Sequence, residues 1–266
     1  MTSEVFPKIS IVTPSFNQAQ FLEETINSVL SQNYPNLEYI IVDGKSTDGS
    51  HEIIKNYQDR LLWLNKEDGG MVSAVNKGFR ATSGEILALL CSDDVYNIGT
   101  LNTVARFFSD NPGVLWITGD CAIINETGKE ISKSIRFYKN VFSKLNNRNT
   151  LGIVNFISTP STFIKRELFE KVGFHDENLG YANDFDYWLR CYKWAKPAVI
   201  RTPTSLAKFR VHTKSVGGNR FKLQFQEAER VLEMNKVPKI IRILNHYHNN
   251  LIVNLYSNYY RKSEAK

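Results

Sequence analysis

Residues 37–50 read LEYIIVDGKSTDGS, an apolar segment that passes directly into a polar loop. The same change occurs at residues 9–17, ISIVTPSFN, and at residues 86–94, ILALLCSDD. Runs that are nearly all apolar, as here, are typical of strands that are buried on both faces of a parallel sheet. These segments therefore predict central strands at residues 9–12, 37–42 and 86–90, each followed by a polar loop.

Helical patterns separate the predicted strands. Apolar side chains three and four positions apart predict a helix capped by Asn17 and ended by Pro35, and either Asp48 or Ser50 caps the next helix. Further helices are predicted at 73–82 and 101–108, and further strands at 61–64 and 114–118. This alternation predicts an α/β fold with a Rossmann-like, mostly parallel central sheet flanked by helices. Ligands of such sheets bind at the carboxyl ends of the strands, which here carry residues 13–17, 43–50 and 92–94.

The second half of the chain has a different pattern. We predict a hairpin over residues 121–135 that turns at 126–128, a polar, turn-rich stretch at 142–150, a strand at 161–164, a helix at 184–196 and helical structure after 218. We therefore predict a catalytic domain at 1–218 and a basic helical tail at 219–266. Within the catalytic domain we expect a nucleotide-binding half at about 1–120 and an acceptor half at about 121–218.

The composition excludes a disordered, a collagenous or a coiled-coil chain. The 266 residues are 42% hydrophobic and 23% charged, as in ordinary globular proteins. Three widely spaced cysteines without a C-x-x-C argue against a structural zinc site and suit a reducing compartment. The first residues do not resemble a secretory signal, and the longest apolar runs are too short to span a membrane. We therefore expect a cytoplasmic location.

The positive charge is concentrated at one end of the chain. Residues 220–266 contain nine Lys or Arg and four acids, so this segment carries +5 of the net charge of +6. The rest of the chain is nearly neutral, which argues against a nucleic-acid-binding protein.

Ser92-Asp93-Asp94 is the first candidate site because it directly follows an apolar strand. Adjacent carboxylates raise each other's pKa unless a positive charge lies beside them. A divalent cation supplies that charge, since hard cations prefer carboxylate oxygens. The alternative is a turn at the strand end or a cap for the helix near Thr100.

Asp184 and His212 are further candidates. Asp184 opens a predicted helix, where it is either the N-cap or a general base facing the cleft. His212, in the segment FRVHTKS at residues 209–215, is either a structural histidine or a metal ligand.

Taken in order, the motifs resemble those of family 2 glycosyltransferases. The resemblance covers about residues 8–216 and rests on a succession of short segments: VTPSFN at 12–17, SVLSQ at 28–32, VDGKSTDG at 42–49, EDGG at 67–70, AVNKG at 74–78, GEI at 84–86, SDD at 92–94, STF at 161–163, Asp184 with WLR at 188–190, and Arg210 with His212. Ser92 stands where many members have the first acid of an acid-x-acid motif, and Gly44 where many have a second acid.

This resemblance implies a GT-A fold, a nucleotide-sugar donor, with a UDP-sugar expected, and a Mn²⁺ or Mg²⁺ ion. It implies that Asp94 is the principal metal ligand and that His212 completes the metal shell. Asp93 would contact the ribose or sugar of the donor. The nucleobase pocket would be formed by Pro14, Phe16, Asp43 and Asp68.

The implied reaction is an inverting transfer to a hydroxyl of a glycan or lipid-linked acceptor in bacterial surface polysaccharide biosynthesis. Asp184 would take the proton of the acceptor hydroxyl. Two alternatives stay open. A nucleotidyltransferase would need a Gly-rich phosphate loop with a basic residue, and residues 13–17 contain neither. A non-catalytic nucleotide- or nucleic-acid-binding α/β protein is the other.

The tail predicts a basic amphipathic helix. Apolar residues recur three or four positions apart and share one helix face: Ile240, Ile241, Leu244, Tyr247, Leu251, Leu255 and Tyr259. Such a helix either lies on an anionic membrane, as a peripheral protein on the inner face of the cell membrane would, or packs on the catalytic domain or on a second subunit in a homodimer. Both interpretations stay open.

Overall fold

The computed structural model describes residues 6–67, 69–213, 215 and 221–264. A seven-stranded sheet forms its centre, with the strand order β3-β2-β1-β4-β9-β6-β10. All neighbouring strands are parallel except that β9 is antiparallel to both β4 and β6. The strands are β1 Ile9–Ser15, β2 Leu37–Asp43, β3 Leu62–Asn65, β4 Ile86–Leu89, β6 Trp116–Gly119, β9 Thr162–Lys165 and β10 Ala198–Ile200. The prediction of a mostly parallel sheet is confirmed.

A smaller four-stranded sheet has the order β5-β11-β7-β8. Its strands are β5 Val95–Tyr96, β11 Ala207–Arg210, β7 Cys121–Ile124 and β8 Glu130–Ile131. The pair β7–β8 is antiparallel, so the predicted hairpin is confirmed as far as residue 131. Because β5 begins directly after Asp94 and β11 ends two residues before His212, this sheet brings the two candidate segments together.

Helices cover both faces of the central sheet. The helices of the described residues are α1 Ala19–Leu30, α2 Ser50–Lys55, α3 Met71–Arg80, α4 Thr100–Asp110, α5 Lys133–Leu145, α6 Arg148–Ile153, α7 Arg166–Val172, α8 Asn183–Cys191, α9 Phe221–Met234 and α10 Lys239–Glu264. Alternate strand residues point to opposite faces: Val12 and Val42 pack with α3 and α8, whereas Ile11 and Ile41 pack with α1 and α4.

Gly78 shows how tightly α3 packs on the sheet. A Cβ at this position would lie 2.3 Å from Val12 Cγ1 and 3.2 Å from Val42 Cγ2. Only glycine allows the helix to approach β1 and β2 this closely.

Several predicted details are wrong. The N-cap of α1 is Gln18 rather than Asn17, which has a φ of 53° and uses its side chain elsewhere. The N-cap of α2 is Gly49, although Asp48 does accept a bond from Ser50 N. The N-cap of α4 is Gly99, so Asp94 caps no helix.

Some elements were not predicted from the sequence, namely β5, β10, β11, α5, α6 and α7. The three strands have only two to four residues, too few for a period-two pattern. Helix α5 replaces the last part of the predicted hairpin and the beginning of the predicted turn-rich stretch.

The C-terminal helices share the main core. Val231 and Leu232 of α9, and Val237 and Ile241 beyond it, belong to the same buried cluster as Trp188 of α8. The predicted domain boundary at 218 falls among residues 216–220, which lie outside the described part of the chain.

The predicted apolar stripe of the tail divides in the structure. Ile241, Asn245 and Asn249 are buried, while Leu244 and Leu251 are exposed, as are Ile240 and Tyr247. The side chains of Leu255 and Tyr259 lie outside the described residues. Among the described residues, no helix has the length and apolar character required to cross a membrane.

Candidate active site

Hydrogen bonds join the loops after β1 and β2. Thr47 N donates to Asn17 Oδ1 over 2.8 Å, and Asn17 N donates to Ser46 Oγ, also over 2.8 Å. Ala19 N, at the start of α1, donates to Asp48 Oδ2 over 2.9 Å. Asp48, in the loop after β2, therefore accepts from an N–H at the start of α1 that has no partner within that helix. The two loops form a single rim at the carboxyl ends of the strands.

The residues predicted to form the nucleobase pocket lie along this rim. Pro14 is buried within β1, and Phe16 directly after β1 is 61% exposed. Asp43 is fully buried; its carboxylate accepts from Ser46 N over 2.8 Å and lies 2.8 Å from His51 Nε2. Asp43 therefore holds its own loop in place. Asp68, the fourth predicted residue, lies outside the described residues.

Asp94 lies beneath the turn that follows β4. Its N–H donates to Cys91 O, which closes the turn, and its Oδ1 accepts from Arg210 N over 2.8 Å. Its Oδ2 has no hydrogen-bond partner among the described residues, although Asp94 is only 1% exposed. Burial, and then the charge of Asp93, raises the pKa of Asp94 well above its usual value, against the opposing effect of Arg210.

Asp93 and His212 meet across the gap between β4 and β11. Asp93 Oδ2 lies 3.0 Å from His212 Nε2, and the His212 ring is buried against Phe21 of α1. A small pocket beside this pair is lined by Asn17, Gln18, Gln20, Phe21, Asp48, Glu126, His212 and Thr213. His212 thus connects the acidic turn with the rim formed by the loops after β1 and β2.

Arg210 is a site residue that the sequence motifs contained but whose role they did not indicate. It is 1% exposed, and its Nε donates to Asp93 O over 2.8 Å. Its guanidinium also donates to the carbonyls of Asn125 and Glu126, both at 3.1 Å, and pairs with Glu24 of α1. Arg210 therefore fixes the acidic turn to the second sheet. Apolar and polar residues alternate at 209–212, and this alternation was the sequence signal for a strand that carries Arg210.

Asp184 is the second residue of α8, and the N-cap of this helix is Ala182. The capping interpretation of Asp184 is therefore wrong. Its carboxylate accepts from Phe185 N over 2.7 Å and from Thr159 Oγ1 over 3.2 Å. Burial raises the pKa of Asp184, and these two bonds and the charge of Lys139 only partly offset the rise.

The Cys91 thiol is near both Asp184 and the acidic turn, by which we mean the turn of Asp93 and Asp94 after β4, in the sense that the charges of all three act on it. Burial raises the pKa of Cys91, and the charges of Asp94, Asp93 and Asp184 raise it further. Asp184 is thus close enough to Cys91 for its charge to act on this thiol. Asp184 lies on α8, whereas Asp93 and Asp94 lie at the end of β4.

Glu227 of α9 supports the N-terminus of α8 and was not anticipated from the sequence. Its carboxylate accepts from Gly180 N over 3.0 Å and from Tyr181 N and Ala182 N over 2.6 Å each. A carboxylate at this position satisfies N–H groups that have no partner within the helix and complements the positive end of its dipole. The tail thereby positions the helix that carries Asp184.

The donor set fits a divalent cation. Cys91, Asp93 and Asp94 each offer a ligand atom, and these atoms lie within 4.8 Å of one another. The unpartnered buried Asp94 Oδ2 is the observation that favours a cation, because a buried carboxylate oxygen without a partner is costly. His212 adjoins this cluster through Asp93.

This chain is similar in sequence to known proteins. The model of the family named "Glycosyl transferase family 2" matches residues 10–173. An uncharacterized glycosyltransferase of Rickettsia typhi is 32% identical over 214 residues, which cover 77% of this chain and 64% of that protein. This chain thus spans less than two thirds of that relative. The glycosyltransferase TuaG of Bacillus subtilis, named for teichuronic acid biosynthesis, is 28% identical over 221 residues, or 81% of this chain and 84% of that protein.

A solved structure shows the same fold. The mannosyltransferase PcManGT of Pyrobaculum calidifontis, in complex with GDP-Man and Mn²⁺, superposes with a TM-score of 0.68 at 19% identity, over 92% of this chain and 70% of that one. The central sheet, the acidic turn after β4 and the match over residues 10–173 agree with one another. This chain has the GT-A fold and belongs to the family 2 glycosyltransferases.

Proposed function

We propose that this protein transfers a sugar from a nucleoside-diphosphate donor to a hydroxyl of a glycan or lipid-linked acceptor, with inversion at the anomeric carbon. We infer that the reaction belongs to bacterial surface polysaccharide biosynthesis, an inference supported by the similarity to TuaG. The observation that carries the proposal is the turn of Asp93 and Asp94, where Asp94 Oδ2 is buried without a hydrogen-bond partner among the described residues and His212 adjoins Asp93.

The donor would bind along the rim of the sheet. Phe16, Pro14 and the loop held by Asp43 would contact the base, with uridine expected, and Asp68 would belong to the same pocket. Asp93 would contact the ribose or sugar and also holds the ring of His212 in place.

A cation fits the residues at the end of β4. Asp94, through its unpartnered Oδ2, and His212 would hold it, with Mn²⁺ or Mg²⁺ expected. Such an ion would neutralise the negative charge that develops on the leaving diphosphate. Arg210 keeps the Asp94 carboxylate in place through its backbone N–H.

Asp184 would act as the general base. Its pKa is raised by burial, which brings the carboxylate closer to the proton affinity that a base needs near neutral pH. It would take the proton of the acceptor hydroxyl while that oxygen attacks the anomeric carbon from the face opposite the leaving group. A single displacement inverts the configuration and requires no protein nucleophile.

A thermal-shift panel of nucleoside diphosphates, each with and without Mn²⁺, tests the donor and the cation together. At about a hundredfold excess over Kd, a specific ligand stabilises the fold by about 2.7 kcal/mol. We expect UDP with Mn²⁺ to raise the Tm most, and Asp94→Asn to abolish the effect of Mn²⁺. A panel in which no nucleotide raises the Tm would contradict the proposal.

Asp184→Asn tests the base. We expect nucleotide binding and Tm to be retained while transfer falls by about two to four orders of magnitude. The matched control is Asp186→Asn, because an amide oxygen at this position can still accept from Asn235, which keeps α8 in place, and only the ion pair with Arg190 is lost. This control should melt earlier but keep its transfer activity. An active Asp184→Asn variant would refute the assignment, and a product with retained anomeric configuration would refute inversion.

We further propose that α5 and α10 together contact an anionic lipid surface. The two helices touch where the rings of Tyr138 and His248 stack at 6.0 Å. Exposed apolar side chains lie near this contact: Val141 and Leu145 on α5, and Leu244 and Leu251 on α10. Lys133 and Lys144 of α5 and Lys239 of α10 are exposed, and neither residues 133–145 nor residues 239–253 contain an acid, which complements anionic headgroups.

Vesicle sedimentation tests this surface. Binding should require anionic lipid, weaken with salt and be lost in Leu251→Glu. It should be retained in Ile98→Glu, which replaces an apolar side chain that is 89% exposed outside both helices. If Leu251→Glu instead dissociates a dimer and the wild type does not bind vesicles, the surface is an interface between two copies of the chain.

A further inference from the structure

Cys91 lies at the proposed cation site, beside Asp93 and Asp94. It follows β4 by two residues, is half-buried, and accepts the N–H of Asp94 at its carbonyl. Its Sγ lies within 4.8 Å of carboxylate oxygens of both Asp93 and Asp94. Three ligand atoms at such separations can bind one ion together.

A second observation points to an occupant of this space. Asp94 Oδ2 has no hydrogen-bond partner in the part of the chain that the structure describes, while the residue is 1% exposed. Buried polar atoms nearly always have a partner, and a buried oxygen without one is costly. Its two nearest candidate co-ligands are Asp93 and the thiol.

We propose that Cys91 is a thiolate ligand of the cation site and that it shifts the site's preference toward thiophilic divalent ions such as Zn²⁺, Co²⁺ and Cd²⁺. The inference rests on the proposed function for the existence of the site. When the ion binds, a metal–sulfur bond forms and the thiol proton passes to solvent, without a change in oxidation state. Soft sulfur ligands favour such ions, whereas an all-oxygen site favours Mg²⁺ or Mn²⁺.

The other two cysteines provide matched controls. Cys121 is buried in β7, where its Sγ contacts Ala122 O at 3.6 Å. Cys191 is fully buried at the end of α8 in the main core. Neither belongs to the cluster of ligand atoms formed by the turn after β4.

Cobalt spectroscopy tests the proposal on the full-length protein. Co²⁺ should produce d–d bands together with an ultraviolet thiolate-to-cobalt charge-transfer band. The charge-transfer band should disappear in Cys91→Ser and in Cys91→Asp, and persist in Cys121→Ser and Cys191→Ser. Cys91→Asp keeps a ligand at this position and should still bind Co²⁺, so its d–d bands distinguish loss of sulfur ligation from loss of the fold.

Competition between ions gives a second readout. The ratio of Cd²⁺ affinity to Mg²⁺ affinity should fall by more than about tenfold in Cys91→Asp, since loss of even an indirect metal contact changes affinity by that factor. Co²⁺ bound without a charge-transfer band, or a band that survives in Cys91→Ser, would overturn the role of Cys91. Failure of the wild type to bind any divalent ion would instead overturn the proposed cation site itself.

Discussion

Arg210 is a buried cation whose hydrogen bonds reach both the turn after β4 and the hairpin of the second sheet. Its charge partner, Glu24, is 56% exposed at the side chain, so most of the compensation for burying the guanidinium comes from fixed carbonyl groups. Removing the guanidinium leaves those carbonyls without partners, and each unpaired group costs free energy.

Arg210→Met should therefore lower the free energy of unfolding by about 3 kcal/mol. Glu24→Gln should cost less than about 1 kcal/mol because an exposed pair contributes little. Urea unfolding followed by circular dichroism measures both. Equal effects of the two variants would show that the ion pair, rather than the carbonyl contacts, holds Arg210.

Glu38, on β2, governs acid stability at a distance from the site. Burial alone would raise its pKa, but bonds from Lys8, Ser10 and Ser83 outweigh burial and lower it from 4.5 to about 2. The folded pKa lies below the unfolded one, so this contribution is present above the unfolded pKa and is lost as the pH falls from about 4.5 toward 2.

Glu38→Gln should thus lower stability at neutral pH by about 2 kcal/mol, and the difference from wild type should vanish toward about pH 2. Melting temperatures across this range measure the effect, with Glu52→Gln on the exposed side of α2 as the control. A constant difference at every pH would mean that the carboxylate charge does not matter.

At the scale of elements, contacts from α9 and from the residue that follows it hold α8 in position. Glu227 caps the N-terminus of α8, and Asn235 Nδ2 donates to Asp186 Oδ1 over 2.7 Å one turn further along. Two contacts one turn apart fix both the position and the rotation of the helix that carries Asp184.

Glu227→Ala should lower kcat by about ten- to a hundredfold, since small displacements of a catalytic group have effects of this size. Donor binding should not change, because the proposed donor contacts lie on other elements. Glu229→Ala is the control on the same helix, since Glu229 bonds only to exposed His246 among the described residues. An unchanged kcat in Glu227→Ala, or a change confined to KM for the donor, would contradict this role.

The sequence predicted elements well where the apolar pattern was long. The strands β1, β2 and β4 and the helices α1, α3 and α4 are present with small shifts at their ends, because each buries a continuous face. Strands β5, β10 and β11 were not predicted, since tertiary pairing rather than local pattern stabilises segments of two to four residues. Asp93, Asp94 and His212 were proposed as site residues from their motifs, whereas Glu227 could not be proposed, because its partners are backbone N–H groups 45 to 47 residues away.

At the scale of the whole molecule, the tail completes the core. Val231, Leu232, Val237 and Ile241 are buried in the same cluster as α8 and the central sheet. Four large apolar side chains contribute about 8 kcal/mol by burial, which is comparable to the entire stability of an ordinary domain.

A chain ending at residue 218 should therefore show no cooperative unfolding transition and should aggregate. A chain ending at residue 253 keeps these buried side chains and should melt close to the full-length protein. Calorimetry and size-exclusion chromatography measure both chains. A cooperative transition in the shorter one would make the tail an independent appendage.

Asp93 and His212 are separated by 119 residues of chain. At about 5–20 residues per second, a ribosome needs about 6–24 s to pass from one to the other. For the first part of that interval one edge of β4 has no partner strand. Strand β9, which lies between β4 and β6, becomes available only after residue 165 is made. An unpaired strand edge attracts other chains. Translational pausing before residue 165 therefore prolongs the exposure of this edge to other chains and should lower the yield of folded protein. Pausing later, before β11, leaves most of the central sheet formed but Asp93 without His212.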